Sequence, residues 1–131
     1  MSLLEEREYY KPFAYPWAFE HYKTQQHMHW LPDEVNLADD LRDYREKLTP
    51  ENKKLITQIF RFFTQADVDV CCGYAKHYLP TFKQPEVRMM LSAFAAMEAV
   101  HQEAYSLLLE TLGFGDHEYR KFFEHKEMLA K

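Results

Sequence analysis

The 131 residues are 47% hydrophobic and 16% aromatic, with a formal net charge of -5. That is enough apolar side chain for a packed core and too much for a disordered chain, and the length predicts a single domain. The acidic balance leaves no electrostatic footprint for nucleic acid or an anionic membrane, no apolar run reaches the ~18 residues of a membrane span, and the N-terminus is not a signal peptide.

Three glycines and the lack of sustained strand-like alternation predict an all-α fold. Residues 1–48 read as an arm with short helices. Met1 to Tyr15 is a polar, irregular lead. Trp17 to His29 is expected to be helical, packing Trp17, Phe19 and Tyr22, until Pro32 interrupts it. His27 and His29 are two residues apart, which does not bring two imidazoles onto one helix face, so they read as polar or packing residues. Trp30 combines a large ring with a polar N–H and reads as a packing anchor. The segment from Leu31 to Asp40 reads as extended and acidic, and Asp43 to Leu48 as a short charged helix or connector.

Residues 49–113 read as a helical hairpin. Thr49-Pro50-Glu51 is a helix start: a Thr cap, proline at the first helical position and an acid in the first turn. The helix is expected to run to about Tyr78 and close at Leu79-Pro80. Its apolar row is Ile56, Phe60, Phe63, Asp67, Val70 and Tyr74. Asp67 is the one acid in that row, although a small rotation would bury Asp69 instead. Cys71 and Cys72 are the only thiols and are adjacent, so reduced, buried thiols of a cytosolic protein are expected.

After a short loop, Pro85 to Gly113 is expected to form the second long helix. Positions 87, 91, 94, 98, 101, 105, 108 and 112 alternate by four and three, the spacing of a bundle seam. Val87, Leu91, Phe94, Leu108 and Leu112 are apolar, while Glu98, His101 and Tyr105 occupy the middle, one turn apart and facing the same way. A buried carboxylate needs compensation, and a cation is one; a core Glu–His hydrogen bond is the other reading. Both Asp67 and Glu98 lie about 18–20 Å along their helices from the connecting loop, so an antiparallel hairpin brings them level. Gly113 and Gly115 end the second helix, and Asp116 is expected to cap a further helix over residues 117–131.

Three blocks together resemble the small, radical-generating subunit of class I ribonucleotide reductase: FFTQAD (Phe62 to Asp67), MEAVHQEAY (Met97 to Tyr105) and HWLPDEVNLADD (His29 to Asp40). The resemblance implies a ferritin-like bundle, of which this chain is roughly the first half. It implies Asp67 and His101 as ligands of one metal, Glu98 as a bridge between two metals, Tyr105 as the radical residue and Trp30 as the start of the radical-transfer route. The implied cofactor is di-nuclear iron, with manganese or a mixed manganese–iron pair as variants. The implied setting is cytoplasmic, with a homodimer and a large subunit that reduces ribonucleoside diphosphates as partners. The family's full site also needs a further carboxylate and a second Glu-x-x-His, which this sequence does not have. The expectation is therefore an incomplete piece that needs a missing C-terminal half, self-associates through its uncovered seam and is inactive alone. Two other readings use the same residues: another ferritin-like di-metal oxidase, and a metal-free helical interaction module.

Overall fold

A computed structural model describes residues 1–130, and of Met128 only the backbone. Among the described residues there are helices and turns and no strand, and no helix is long and apolar enough to cross a membrane. The elements are α1 (Pro16–His27), a 3-10 turn (Pro32–Glu34), α2 (Ala38–Glu46), α3 (Pro50–Gly73), a π-helical segment (Tyr74–Tyr78), α4 (Leu79–Thr81), α5 (Pro85–Thr111), a 3-10 stretch (Asp116–Glu124) and α6 (Lys126–Leu129). Contacts group them into two compact units, one of residues 1–30 and 69–99, the other of residues 31–68 and 100–131.

In the first unit, Ala18, Val87, Met90 and Leu91 form the core, with Tyr15, Tyr22, Tyr74, Phe82 and Phe94 packed around them. Of the three α1 aromatics expected inside, Tyr22 packs on this core and Phe19 sits against Phe13, ring centroids 5.0 Å apart. Trp17 is 45% exposed; the fully buried α1 residue is the small Ala18, which lets the helix approach α5 closely. The N-terminal lead is held by α5. Arg7 spans to Glu86 and also donates to the carbonyls of Tyr9, Tyr10 and Pro12. Glu86 Oε1 accepts the backbone N–H groups of Ala14 and Tyr15 at 2.9 Å each.

The helix preceding the loop does not close before Pro80. It passes through the π segment, where Leu79 N–H donates to Tyr74 O, and continues to Thr81. The wider i→i+5 turn relieves the clash that a proline ring makes with the carbonyl four residues back. The Arg88 guanidinium then donates to the carbonyls of Leu79 (3.3 Å) and Phe82 (2.9 Å), giving the helix end its missing donors.

In the second unit, α2 begins at Ala38 rather than Asp43. Asn36 Oδ1 accepts Ala38 N–H at 3.0 Å, and Asp39 and Asp40 sit in the first turn, where the helix dipole favours them. Residues 32–40 are thus a turn and a helix start instead of the extended segment expected. Thr49 Oγ1 accepts Asn52 N–H at 3.2 Å, the cap expected at the start of α3. Thr49→Ala should cost about 1 kcal/mol, read as a lower urea midpoint with unchanged slope; an unmoved midpoint would show the cap carries no stability.

At the far end of α5, Gly113 adopts φ 92°. Its N–H donates to Glu110 O and Phe114 N–H to Leu109 O, closing the helix in a left-handed turn that a Cβ would strain. The expected helix over 117–131 is instead a 3-10 stretch, broken at the extended His125, followed by the short α6. Glu118 orders this stretch. It is buried and paired with Arg61 of α3 and with Lys121.

Candidate metal centre

Asp67 lies on α3, and Glu98 and His101 lie one turn apart on α5. Each offers a ligand atom, and these atoms all lie within 4.8 Å of one another. All three side chains are half-buried rather than sealed in a core. Asp69 is exposed, so of the two acids on this part of α3 it is Asp67 that joins the group. The donor set is two carboxylate oxygens and an imidazole nitrogen, which suits iron or manganese and also tolerates other divalent ions.

The antiparallel register of the two helices is visible in each unit. In the second, Gln102 Nε2 donates to the Asp67 carbonyl at 3.3 Å, which ties α5 to the helix that carries the acid. In the first, the Cys71 thiol donates to Ala95 O at 3.7 Å, and Tyr74 meets Phe94 with ring centroids 6.4 Å apart. The cysteines are otherwise not as expected. Cys71 is half-buried and Cys72 is exposed.

Tyr105 sits one turn beyond His101. Its ring stacks on Phe63 with centroids 5.7 Å apart and planes 6° apart, and Phe60 flanks it at 6.3 Å. Burial first, and the Asp67 charge second, raise the Tyr105 phenol above its ordinary pKa, so it holds its proton at neutral pH. Tyr74 is in a similar position with respect to Glu98. Burial, then the Glu98 charge, raise its phenol in the same direction. The sequence reading placed Tyr74 in the apolar row without giving it a role. Its position seven residues after Asp67, two turns along the same face, was the available signal.

Trp30 is half-buried in the stretch between α1 and the 3-10 turn, and is not a member of the three-residue group. His27 and His29 are exposed and are not members of the group. His117 is exposed beside Glu118, and His125 contacts Gln58 at 3.2 Å; neither belongs to the group.

Comparison with known proteins gives the family and the fold. The family model described as "Ribonucleotide reductase, small chain" matches residues 7–131. A "Probable ribonucleoside-diphosphate reductase small subunit 376L" from Invertebrate iridescent virus 6 is 49% identical over 131 residues, which is 100% of this chain and 36% of that protein. The "Ribonucleoside-diphosphate reductase small subunit" of Dictyostelium discoideum is 33% identical over 100 residues, 76% of this chain and 30% of that one. The chain thus spans about a third of the length of these relatives. Among solved structures, a "Ribonucleotide reductase R2 subunit from Clostridium botulinum" superposes with a TM-score of 0.80 at 24% identity, over 88% of this chain and 37% of that one. The Rnr4 homodimer of Saccharomyces cerevisiae gives 0.84 at 19%, over 97% and 42%. At these identities the structures establish the fold, which is all-α and ferritin-like. The family match over nearly the whole chain establishes the rest: this chain belongs to the ribonucleotide reductase small-chain family.

Proposed function

We propose that this chain carries one ligand set of a di-metal carboxylate centre that generates and stores a tyrosyl radical for ribonucleoside-diphosphate reduction. The observation that carries this reading is the convergence of Asp67, Glu98 and His101 within 4.8 Å, with Tyr105 one turn away. Asp67 and His101 would hold one metal, and Glu98 would bridge to a second. Iron, manganese or a mixed pair would supply one-electron oxidising power from dioxygen. The chain's own residues do the rest. Phe63 stacks on the Tyr105 ring and Phe60 flanks it, which fixes its plane. Burial keeps the phenol protonated until it is oxidised. Trp30 starts the electron route toward a large subunit that binds the ribonucleotide, and the working assembly is a cytoplasmic homodimer of small chains joined to that subunit.

Three ligand groups are half of what a di-metal centre of this kind takes. The chain alone, given ferrous iron and oxygen, should therefore show no stable tyrosyl-radical signal in electron paramagnetic resonance. A chimera in which it replaces the matching segment, about a third, of the iridescent-virus relative should show one. In that chimera Tyr105→Phe should abolish the signal while leaving the iron content unchanged. A signal that survives Tyr105→Phe, or an iron-loaded chimera without any signal, would overturn the assignment.

A further inference from the structure

The π segment after α3 places two tyrosines edge to face. Tyr74 and Tyr78 have ring centroids 5.5 Å apart with planes at 62°. Tyr74 is half-buried, packs on Phe94 and lies in the field of Glu98, one turn beyond Phe94 on α5. Tyr78 is 48% exposed and continues to Phe82 at 6.4 Å. An α-helix puts residues i and i+4 on one face; the wider π turn sets this particular pair, and such insertions concentrate at functional sites. One ring thus packs on Phe94, a helical turn from Glu98, and the other is half exposed to solvent, with direct ring contact between them.

We infer that Tyr74 and Tyr78 form an oxidisable pair that carries an oxidising equivalent from the Asp67–Glu98–His101 group to the surface when Tyr105 does not capture it. This rests on the metal-centre reading above. With ferrous iron and hydrogen peroxide as the reactants, the balance is closed. The Tyr74 O–H bond breaks; its electron and proton, one electron from ferrous iron and one further proton reduce the peroxide to two waters, leaving ferric iron and a Tyr74 phenoxyl radical. Tyr78 then passes an electron across the ring contact and releases its phenolic proton to solvent, while Tyr74 takes a proton back. The radical ends on Tyr78, where an external one-electron reductant can quench it.

The test uses the full chain with one equivalent of ferrous iron, added peroxide and a nitroso spin trap, followed by peptide mass spectrometry. Iron retention is measured separately on the same samples. Adducts are expected at Tyr78 well above those at the equally exposed Tyr9 and Tyr10, and Tyr74→Phe should remove the Tyr78 adduct without changing retained iron. Equal adducts on all exposed tyrosines, a Tyr78 adduct that persists in Tyr74→Phe, or none in the wild type with iron bound would overturn the relay while leaving the metal centre standing. Failure to retain iron would overturn the metal-centre reading and the relay together.

Discussion

Glu98→Ala should remove divalent-metal binding from this chain and leave its folding nearly unchanged. Two carboxylates and one imidazole are the donors within reach of one another, so the variant keeps a bidentate remnant of Asp67 and His101. Loss of groups that merely orient metal ligands costs ~10–100-fold in affinity, and loss of a ligand itself should cost at least ~100-fold. The stability side separates this from the metal-free reading. Glu98 is half-buried on a helix, and alanine is the best helix former, so a Glu whose role is ligation can be truncated with a change within about 0.5–1 kcal/mol. A Glu whose role is a core hydrogen bond should cost about 1–3 kcal/mol instead. Titration with manganese and urea denaturation of the same samples decide the matter. Unchanged manganese affinity together with a lowered urea midpoint would favour the helical interaction module.

The largest effect on folding is expected at Arg7. Arg7 and Glu86 are both buried, 79 residues apart, and each is saturated: the guanidinium by three carbonyls and the carboxylate, the carboxylate by Arg7 and two backbone N–H groups. Such a pair contributes little against a well-packed apolar substitute, but breaking one side strands the other charge. Arg7→Ala should therefore destabilise the first unit by ~3–5 kcal/mol and release the N-terminal lead. Limited proteolysis within residues 1–15 and the urea midpoint both report on it. An unchanged midpoint would show that the lead is an ornament on a core that stands without it.

The same pair sets an acid limit. Burial alone would raise the Glu86 carboxyl, but the N–H of Tyr15, its own N–H and Arg7 outweigh burial and hold it below its ordinary value. A depressed carboxylate stabilises the fold fully above the ordinary range of about 4.3 and loses that contribution as pH falls through the lowered value. Glu118 behaves alike: burial would raise it, and Lys121 and Arg61 hold it down. Stability should accordingly fall on acidification below about pH 4, and Glu86→Gln should flatten part of that fall.

What could be read without coordinates was local. Thr49-Pro50 starts α3 because capping and a preset proline φ act within four residues. Gly113 ends α5 because a left-handed closing turn admits glycine at little cost. The three-residue step from Glu98 to His101 is one helical turn in any helix, and equal distance from the loop put Asp67 level with them. The grouping of Asp67, Glu98 and His101, with Tyr105 one turn beyond, followed from those local rules and the hairpin.

Errors arose where a choice depended on partners far along the chain. Trp17 was expected inside, yet it is 45% exposed, and Ala18 and Tyr22 are the α1 residues that meet the core. The lead is irregular as expected, but nothing in its sequence discloses the buried Arg7–Glu86 pair; the stretch after Asp116 looked α-helical and is a 3-10 stretch whose Glu118 pairs with Arg61. Pro80 read as a stop because the π turn that tolerates it does not show in helix periodicity. By itself the sequence determined the all-α class, the starts of the two long helices and the face on which Asp67, Glu98, His101 and Tyr105 lie, since propensity, capping and helical period act over a few residues. Tertiary structure decided which side chains are sealed, which charges are paired and that Tyr74 packs on Phe94, since burial and pairing belong to groups brought together only when the chain closes on itself.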